Sequence, residues 1–427
     1  MPWLPKSVVC LSYYDRFRFR ADILAALILA QQLFPLSIAI AIAVGLDPRY
    51  GVSCAAIAVF LASALGDSKI RVSAPSVVFV AVASSIVARE GISGLSLSTL
   101  LAGVLLMLFG AMGLGAAIQM LPRPVTAGFA TGIAILIASQ QLPHLLGIRM
   151  QMPSHQVFQG PLTLIGHGIQ IKQYEVVIAV LTLILTMVGR RRFRYIPTGL
   201  IVMIVGALLV KFGHSPVRTV EILYRSNLPS FHLYGVGAFR LDLLGDILAQ
   251  AFAIAVLVAI ESLQAISLAS SLSGERFNPD GELFVHGGVN VASAFVGGLP
   301  GSGVSSYTSE NAHLGAQTPI AGILQAGFLM VFLLIMAPLI RFVPLPVVPA
   351  LILSSVCGMP HWREIPTLIK LTRSEVLAWL ATSFLTIVTD LSMAIAVGML
   401  FSIFLYTRRP REPVLSSPSD KAPLDSA

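Results

Sequence analysis

Two stretches put proline and serine, and the second also glycine, into otherwise apolar sequence. They are Val72-Ser-Ala-Pro-Ser-Val-Val78 and Gly297-Gly-Leu-Pro-Gly-Ser-Gly-Val-Ser-Ser-Tyr307. Pro75 and Pro300 suit a position just before or at a helix start. Ser76, Ser302, Ser305 and Ser306 supply hydroxyl donors, and the glycines let backbone approach a ligand closely. If each stretch opens a helix halfway across a membrane, its first N–H groups face a cavity. A helix N-terminus carries roughly half a positive charge, so two of them bind an anion without any formal cation. The competing reading is that glycine and serine only permit close helix packing. Their occurrence at symmetry-related places favours a site.

Glu261 lies deep in the apolar run VLVAIESLQAIS. A carboxylate there is expensive, and a functional role is the default. It can exchange a proton or, when ionised, hold Na⁺. Glu310, in SSYTSENAHLG, is a second acid. It either faces the same cavity or pairs with His313 on one helix face. Asp22, Asp242, Asp246 and Asp390 fall near span starts and read as helix caps. His144 and His361 lie near interfaces and read as structural. Cys10, Cys54 and Cys357 are scattered without metal spacing. No nucleophile–base set, phosphate loop or cofactor motif is present, so neither an enzyme nor a metal or cofactor protein is expected.

The elements that must position these residues follow from composition. The chain has 427 residues, 56% hydrophobic and only 11% charged, with a mean hydropathy of +0.85. Soluble domains carry ~25% charge. The long apolar runs exclude a soluble protein and a transmembrane β-barrel, and predict an all-α polytopic membrane protein embedded in lipid. The net charge of +8 reads as basic cytoplasmic loops rather than nucleic-acid binding. No signal peptide precedes the first span.

Fourteen embedded segments are expected, at 21–45, 50–66, 73–88, 97–121, 124–147, 174–189 and 197–213 in the first half, and at 242–273, 284–299, 303–318, 319–343, 345–359, 375–389 and 391–407 in the second. With the N-terminus in the cytoplasm, 19 of the 28 lysines and arginines fall on the cytoplasmic side, Lys69, Arg71 and Arg190 among them. That bias predicts both termini inside, in a multi-pass protein of a bacterial inner membrane. Residues 1–20 form the cytoplasmic N-terminus, 214–241 an extracytoplasmic linker with a short hairpin or interfacial cap, and 408–427 a disordered cytoplasmic tail.

The two halves match weakly. Asp22-Ile-Leu-Ala25 recurs as Asp246-Ile-Leu-Ala249, Ser73-Ala-Pro75 corresponds to Gly298-Leu-Pro300, and Pro122-Arg-Pro-Val125 to Pro344-Leu-Pro-Val347. The repeats span 21–213 and 242–407. An odd number of spans per half inverts the second repeat, a device of secondary transporters.

Almost the whole chain, from Asp15 to Arg409, resembles the SulP inorganic anion transporters. The resemblance rests on DILAALILAQQLFPLSIAIAIAVGLDPRYGV, KIRVSAPSVVFVAVA, LPRPVTAGFATGIAILIASQQLPHLLG and AIESLQAISLASSLSGERFNPDGELFVHGGVNVASAFVGGLPGSG. It implies a seven-plus-seven inverted repeat divided into core and gate domains, an elevator mechanism and a homodimer. The substrate would be sulfate, bicarbonate, chloride or a dicarboxylate, coupled to H⁺ or Na⁺ through Glu261. By position, the anion would meet Ala74, Ser76 and Val77 on one side and Val304, Ser305 and Ser306 on the other. Leu36, Ile40 and Tyr307 would form the pocket wall. The sequence departs from the family pattern at Tyr307, where arginine is frequent, at Glu310, which replaces an apolar residue, and at Val77, which replaces glycine. The family's C-terminal STAS domain is not found after the last span. A transporter of the same architecture for a nucleobase or another weak acid, and an uncoupled channel or scaffold, are the alternatives.

Overall fold

The computed structural model describes residues 5–119, 123–148, 173–192, 195–213, 217–222, 244–357 and 373–388. In the first half the elements are α1 (Lys6–Cys10), α2 (Arg16–Val44), α3 (Pro48–Leu65), β1 (Ser73–Pro75), α4 (Val80–Ala111), α5 (Gly115–Gln119), α6 (Arg123–Leu145), α7 (Gln173–Arg192) and α8 (Thr198–Gly213). The second half has α9 (Leu244–Ser273), α10 (Pro279–Ala294), β2 (Gly301–Gly303), α11 (Ser305–His313), α12 (Ile320–Ile340), α13 (Val347–Cys357) and α14 (Arg373–Val388). Among the described residues, seven helices are long and apolar enough to cross a membrane, and three shorter apolar ones accompany them. The molecule is an all-α, multi-pass membrane protein. The expected segment 391–407, the tail, and the linker apart from residues 217–222 lie outside the described residues, as do Asp390, His361 and the side chains of Asp242 and Asp246.

Helix starts follow local chemistry. Asp15 accepts from the N–H of Arg18 at 2.8 Å and opens α2. Asp47 and Asn278 do the same for α3 and α10, each followed by a proline that needs no hydrogen-bond acceptor there. Asp22 is not a cap of its own helix. It lies two turns inside α2, fully buried, and accepts from the N–H groups of Gln317 at 2.7 Å and Thr318 at 3.2 Å and from the Thr318 hydroxyl. It therefore caps the chain entering α12, in the other half of the sequence.

The expected third and fourth segments are two helices joined at Gly91: a 3₁₀ turn at Val77–Phe79 opens the first, and the helical path of α4 is interrupted at that glycine before the second begins. Gly91 adopts φ 71° and ψ −170°, a conformation closed to residues with a Cβ. The short α11 makes the tenth segment far shorter than a span.

Helix α10 packs along α4, and α12 against α2 and α3. The α4–α10 contact is a backbone contact. A Cβ on Gly103 would stand 2.8 Å from the Gly287 carbonyl, and one on Gly287 2.7 Å from the Gly103 carbonyl, the close approach that small residues permit between membrane helices. Helix α6 packs on α14, and α7 on α13. On the opposite end, Arg218 pairs with both carboxylate oxygens of Glu175, at 2.8 and 2.7 Å. Its neighbour Val220 donates to Val343 at 3.0 Å. The described piece of the linker is thus stitched to residues 341–345.

Candidate functional site

The two proline–serine stretches meet. β1 and β2 form an antiparallel ladder, with Ser73 opposite Gly303, Ala74 opposite Ser302 and Pro75 opposite Gly301. Each strand is followed directly by a helix start, at Val77 and at Ser305. The structural equivalence is therefore 73–75 with 301–303, three residues beyond the match found in the sequence. The additional residues 297–300 form a loop held from behind. Thr99 donates to the Gly298 carbonyl at 2.6 Å, and Ser293 to that of Leu299 at 2.5 Å. Asn290 exchanges two hydrogen bonds with Gly301.

Further bonds tie the two halves together. The N–H of Val304 donates to the Val72 carbonyl at 2.9 Å. The N–H of Val72 donates to Thr308 at 3.1 Å, and the Asn311 amide to the Ile70 carbonyl at 2.8 Å. The Val304 N–H is thereby used within the fold and is not a donor for an anion. α11 has no side-chain cap, so its first-turn N–H groups, those of Ser305, Ser306 and Tyr307, have no partner within the helix.

Glu261, half-buried on α9, joins the two stretches. The Ser76 hydroxyl donates to its Oε1 at 3.0 Å, and the Ser302 hydroxyl donates to its Oε2. Next to it, Ser262 accepts from the N–H of Gly303 at 3.0 Å. Ser76 also accepts from the Val78 N–H at 3.4 Å and so caps the helix start of its own half.

A cleft of about 110 Å³, open to solvent, lies beside α11. Of the expected wall residues it holds Leu36 and Tyr307, and the second acid, Glu310, lines it with them. Ile40 is instead sealed in the core, and Ala74 and Val77 are buried. Glu310 accepts from the Gln32 side chain at 3.0 Å. His313 bonds the Ser309 carbonyl, so it is not the partner of Glu310. The rest of the lining comes mainly from α7, α8 and α13, with Arg190, Thr198 and Ser354. Arg190 was expected only as a loop cation.

Arg71, also expected in a loop, is buried behind β1. Its guanidinium pairs with Glu282 of α10 and donates to the Ala62 carbonyl at 2.6 Å. His286 lies 3.3 Å from it, and the other ring nitrogen meets the Ser73 hydroxyl at 3.0 Å. The sequence signal was an arginine directly before the first proline–serine stretch together with an acid and a histidine four residues apart on an apolar helix.

The profile of the sulfate permease family matches residues 19–382. The chain belongs to the sulfate permease family. A relative described as a putative sulfate transporter, YvdB of Bacillus subtilis, is 28% identical over 93% of this chain and 76% of its own. The bicarbonate transporter BicA of Synechocystis is 27% identical over 81% of this chain and 62% of its own. Among solved structures, the transmembrane domain of a cyanobacterial BicA superposes with a TM-score of 0.78 at 25% identity, covering 90% of this chain and 98% of that one. The murine solute carrier 26 family member A9, in its inward-facing state, gives 0.84 at 16% identity over 95% and 71% of the two chains, and shares the fold. Sulfate permease family membership makes this chain an anion transporter and not an enzyme.

Proposed function

We propose that the protein is a secondary active transporter of a small inorganic or organic anion, of the sulfate, bicarbonate or dicarboxylate class, coupled to H⁺ or Na⁺ through Glu261. The observation that carries this reading is the bridge made by that carboxylate, which takes one serine hydroxyl from each repeat at the ladder. A proton or Na⁺ arriving at Glu261 must rearrange Ser76 and Ser302, and with them the donors next to an anion. Binding of cation and anion is then linked, and the linkage acts in both directions. Ser76, Ser305 and Ser306, with the first-turn N–H groups of α11, hold the anion in this reading. The cleft supports an elevator division, because its lining is shared between α2 and α11 and the group α7, α8 and α13. The relatives' names, sulfate transporter and bicarbonate transporter, support an oxyanion.

The test is uptake of labelled sulfate, bicarbonate and fumarate into proteoliposomes, under inward H⁺ and Na⁺ gradients imposed separately, with Glu261→Gln in parallel. Accumulation driven by one gradient and lost in the variant is expected. Equal uptake with and without a gradient would make the protein an uncoupled pathway.

A further inference from the structure

The cleft carries two opposed charges that anion binding at the ladder does not use. Arg190, exposed on α7, and Glu310, half-buried on α11, both line it. Among the described residues Arg190 makes one long hydrogen bond, to the Ser354 carbonyl at 3.4 Å. A guanidinium has five N–H donors in a planar fork, which suits two oxygens of an oxyanion. Glu310 receives the Gln32 amide at Oε1. A carboxylate offers about four lone-pair positions and, when ionised, accepts only. Gln32 thus fixes the carboxylate and leaves Oε2 as an acceptor at the cleft.

A ligand that satisfies both charges needs anionic oxygens at one end and a hydroxyl at the other. Sulfate at neutral pH has no proton to donate and would present a like charge to Glu310. A hydrogen bond from a substrate hydroxyl to a carboxylate favours an anion that carries a proton over one that has none to donate. Phosphate has the tetrahedral shape of sulfate and differs by carrying one or two protons. Bicarbonate and a monoprotonated dicarboxylate carry the same pair of functions.

We propose that Arg190 and Glu310, with Gln32 orienting the latter, form a selectivity subsite at the cleft for oxyanions that retain a hydroxyl. The inference rests on the transport reading above and adds the chemical class of its substrate. It also gives the two charges a task other than closing the cleft by pairing with each other. A simple closing pair would respond to loss of either charge in the same way for every anion.

The test measures uptake of ³²P-phosphate and ³⁵S-sulfate into proteoliposomes at pH 7, for wild type, Glu310→Gln and Arg190→Gln. Calorimetric binding of the same anions to the detergent-solubilised proteins runs alongside. Glu310→Gln keeps the shape of the side chain and still accepts from Gln32, so the fold is retained. Wild type is expected to prefer phosphate. Glu310→Gln should lower the phosphate-to-sulfate ratio about tenfold, the scale of one charged hydrogen bond. Arg190→Gln should weaken both anions by a similar factor and leave the ratio in place. Uptake with a ratio unchanged in Glu310→Gln, or a wild type that prefers sulfate, overturns the subsite and leaves the transport reading. Equal effects of both variants on every anion also overturn it, in favour of a closing pair. Binding that depends on Glu310 without any uptake supports the subsite and overturns transport. Absence of both binding and uptake overturns both.

Discussion

The buried pair Arg71–Glu282 sets a sharp test of how the ladder is held. The side chains are 1% and 2% exposed, and no solvent is available to a charge left alone. Replacing Glu282 by methionine strands the guanidinium with the Ala62 carbonyl and a histidine nitrogen as its remaining partners. Breaking one side of a buried ion pair costs roughly 3–5 kcal/mol. Replacing both residues by methionine removes the stranded charge, and such exchanges are often neutral or stabilising by about 1–4 kcal/mol. The double-mutant cycle of Arg71→Met and Glu282→Met should therefore show a coupling close to the sum of the two single costs, roughly 6–10 kcal/mol. The assay is unfolding by sodium dodecyl sulfate titration in mixed micelles, with anion uptake as a second readout. Each single variant should unfold much earlier than wild type, and the double variant close to it. Because Ser73 of β1 reaches this cluster through His286, both singles should also lose uptake, and the double variant should regain part of it. Singles that cost under about 1 kcal/mol, or costs that simply add, would refute the reasoning.

Four other outcomes follow from the geometry. Gly91→Ala should destabilise by about 1–3 kcal/mol through backbone strain alone, since a Cβ there meets nothing within 4 Å. Gly103→Ala should destabilise by a comparable ~1–3 kcal/mol for the opposite reason, a Cβ driven into the α10 backbone; the same titration measures both. Asp22→Ala leaves two N–H groups and a hydroxyl without their acceptor and should cost about 1–3 kcal/mol or more, with faster hydrogen exchange confined to residues 315–320. Asp67, in the loop after α3, has its carboxyl pushed above the usual carboxylate range, chiefly by burial, against a smaller opposing attraction from Lys6. Its folded state holds the proton more tightly than the unfolded state, so its contribution is favourable at low pH and fades as pH rises through the folded value. Asp67→Asn should then raise stability at pH 7 and leave it nearly unchanged at pH 4, and an unchanged difference between the two pH values would oppose this reading.

Much of the fold was legible because a membrane imposes long apolar runs and makes every charge within them conspicuous. Helices α2, α3, α9 and α12 begin and end within a few residues of the expected bounds, and Glu261 stood out because carboxylates there are rare. The ladder was legible as a place but not as a register. The repeat match aligned Ser73 with Gly298, whereas the strands make Gly301 its counterpart, because the loop at 297–300 is accommodated by Thr99, Asn290 and Ser293, which local similarity does not weigh. Arg71 and Arg190 were hidden for a common reason. A basic residue at the edge of an apolar run reads as a topological marker, and nothing local tells that Glu282, 211 residues away, receives the first of them. Asp22 misled because its acceptor role is directed at a chain 295 residues distant.

The cross-connections at the ladder also set a schedule for the nascent chain. Val72 donates to Thr308, 236 residues later. A ribosome adding 5–20 residues per second needs roughly 10–50 s to make that stretch. Throughout that interval the backbone around Ile70, Val72 and Ser76 is synthesised without its permanent partners, in a setting where bare peptide groups are costly. The first half must therefore wait in an aqueous vestibule or against the insertion machinery, and membrane integration is complete only after residue 311 has been made.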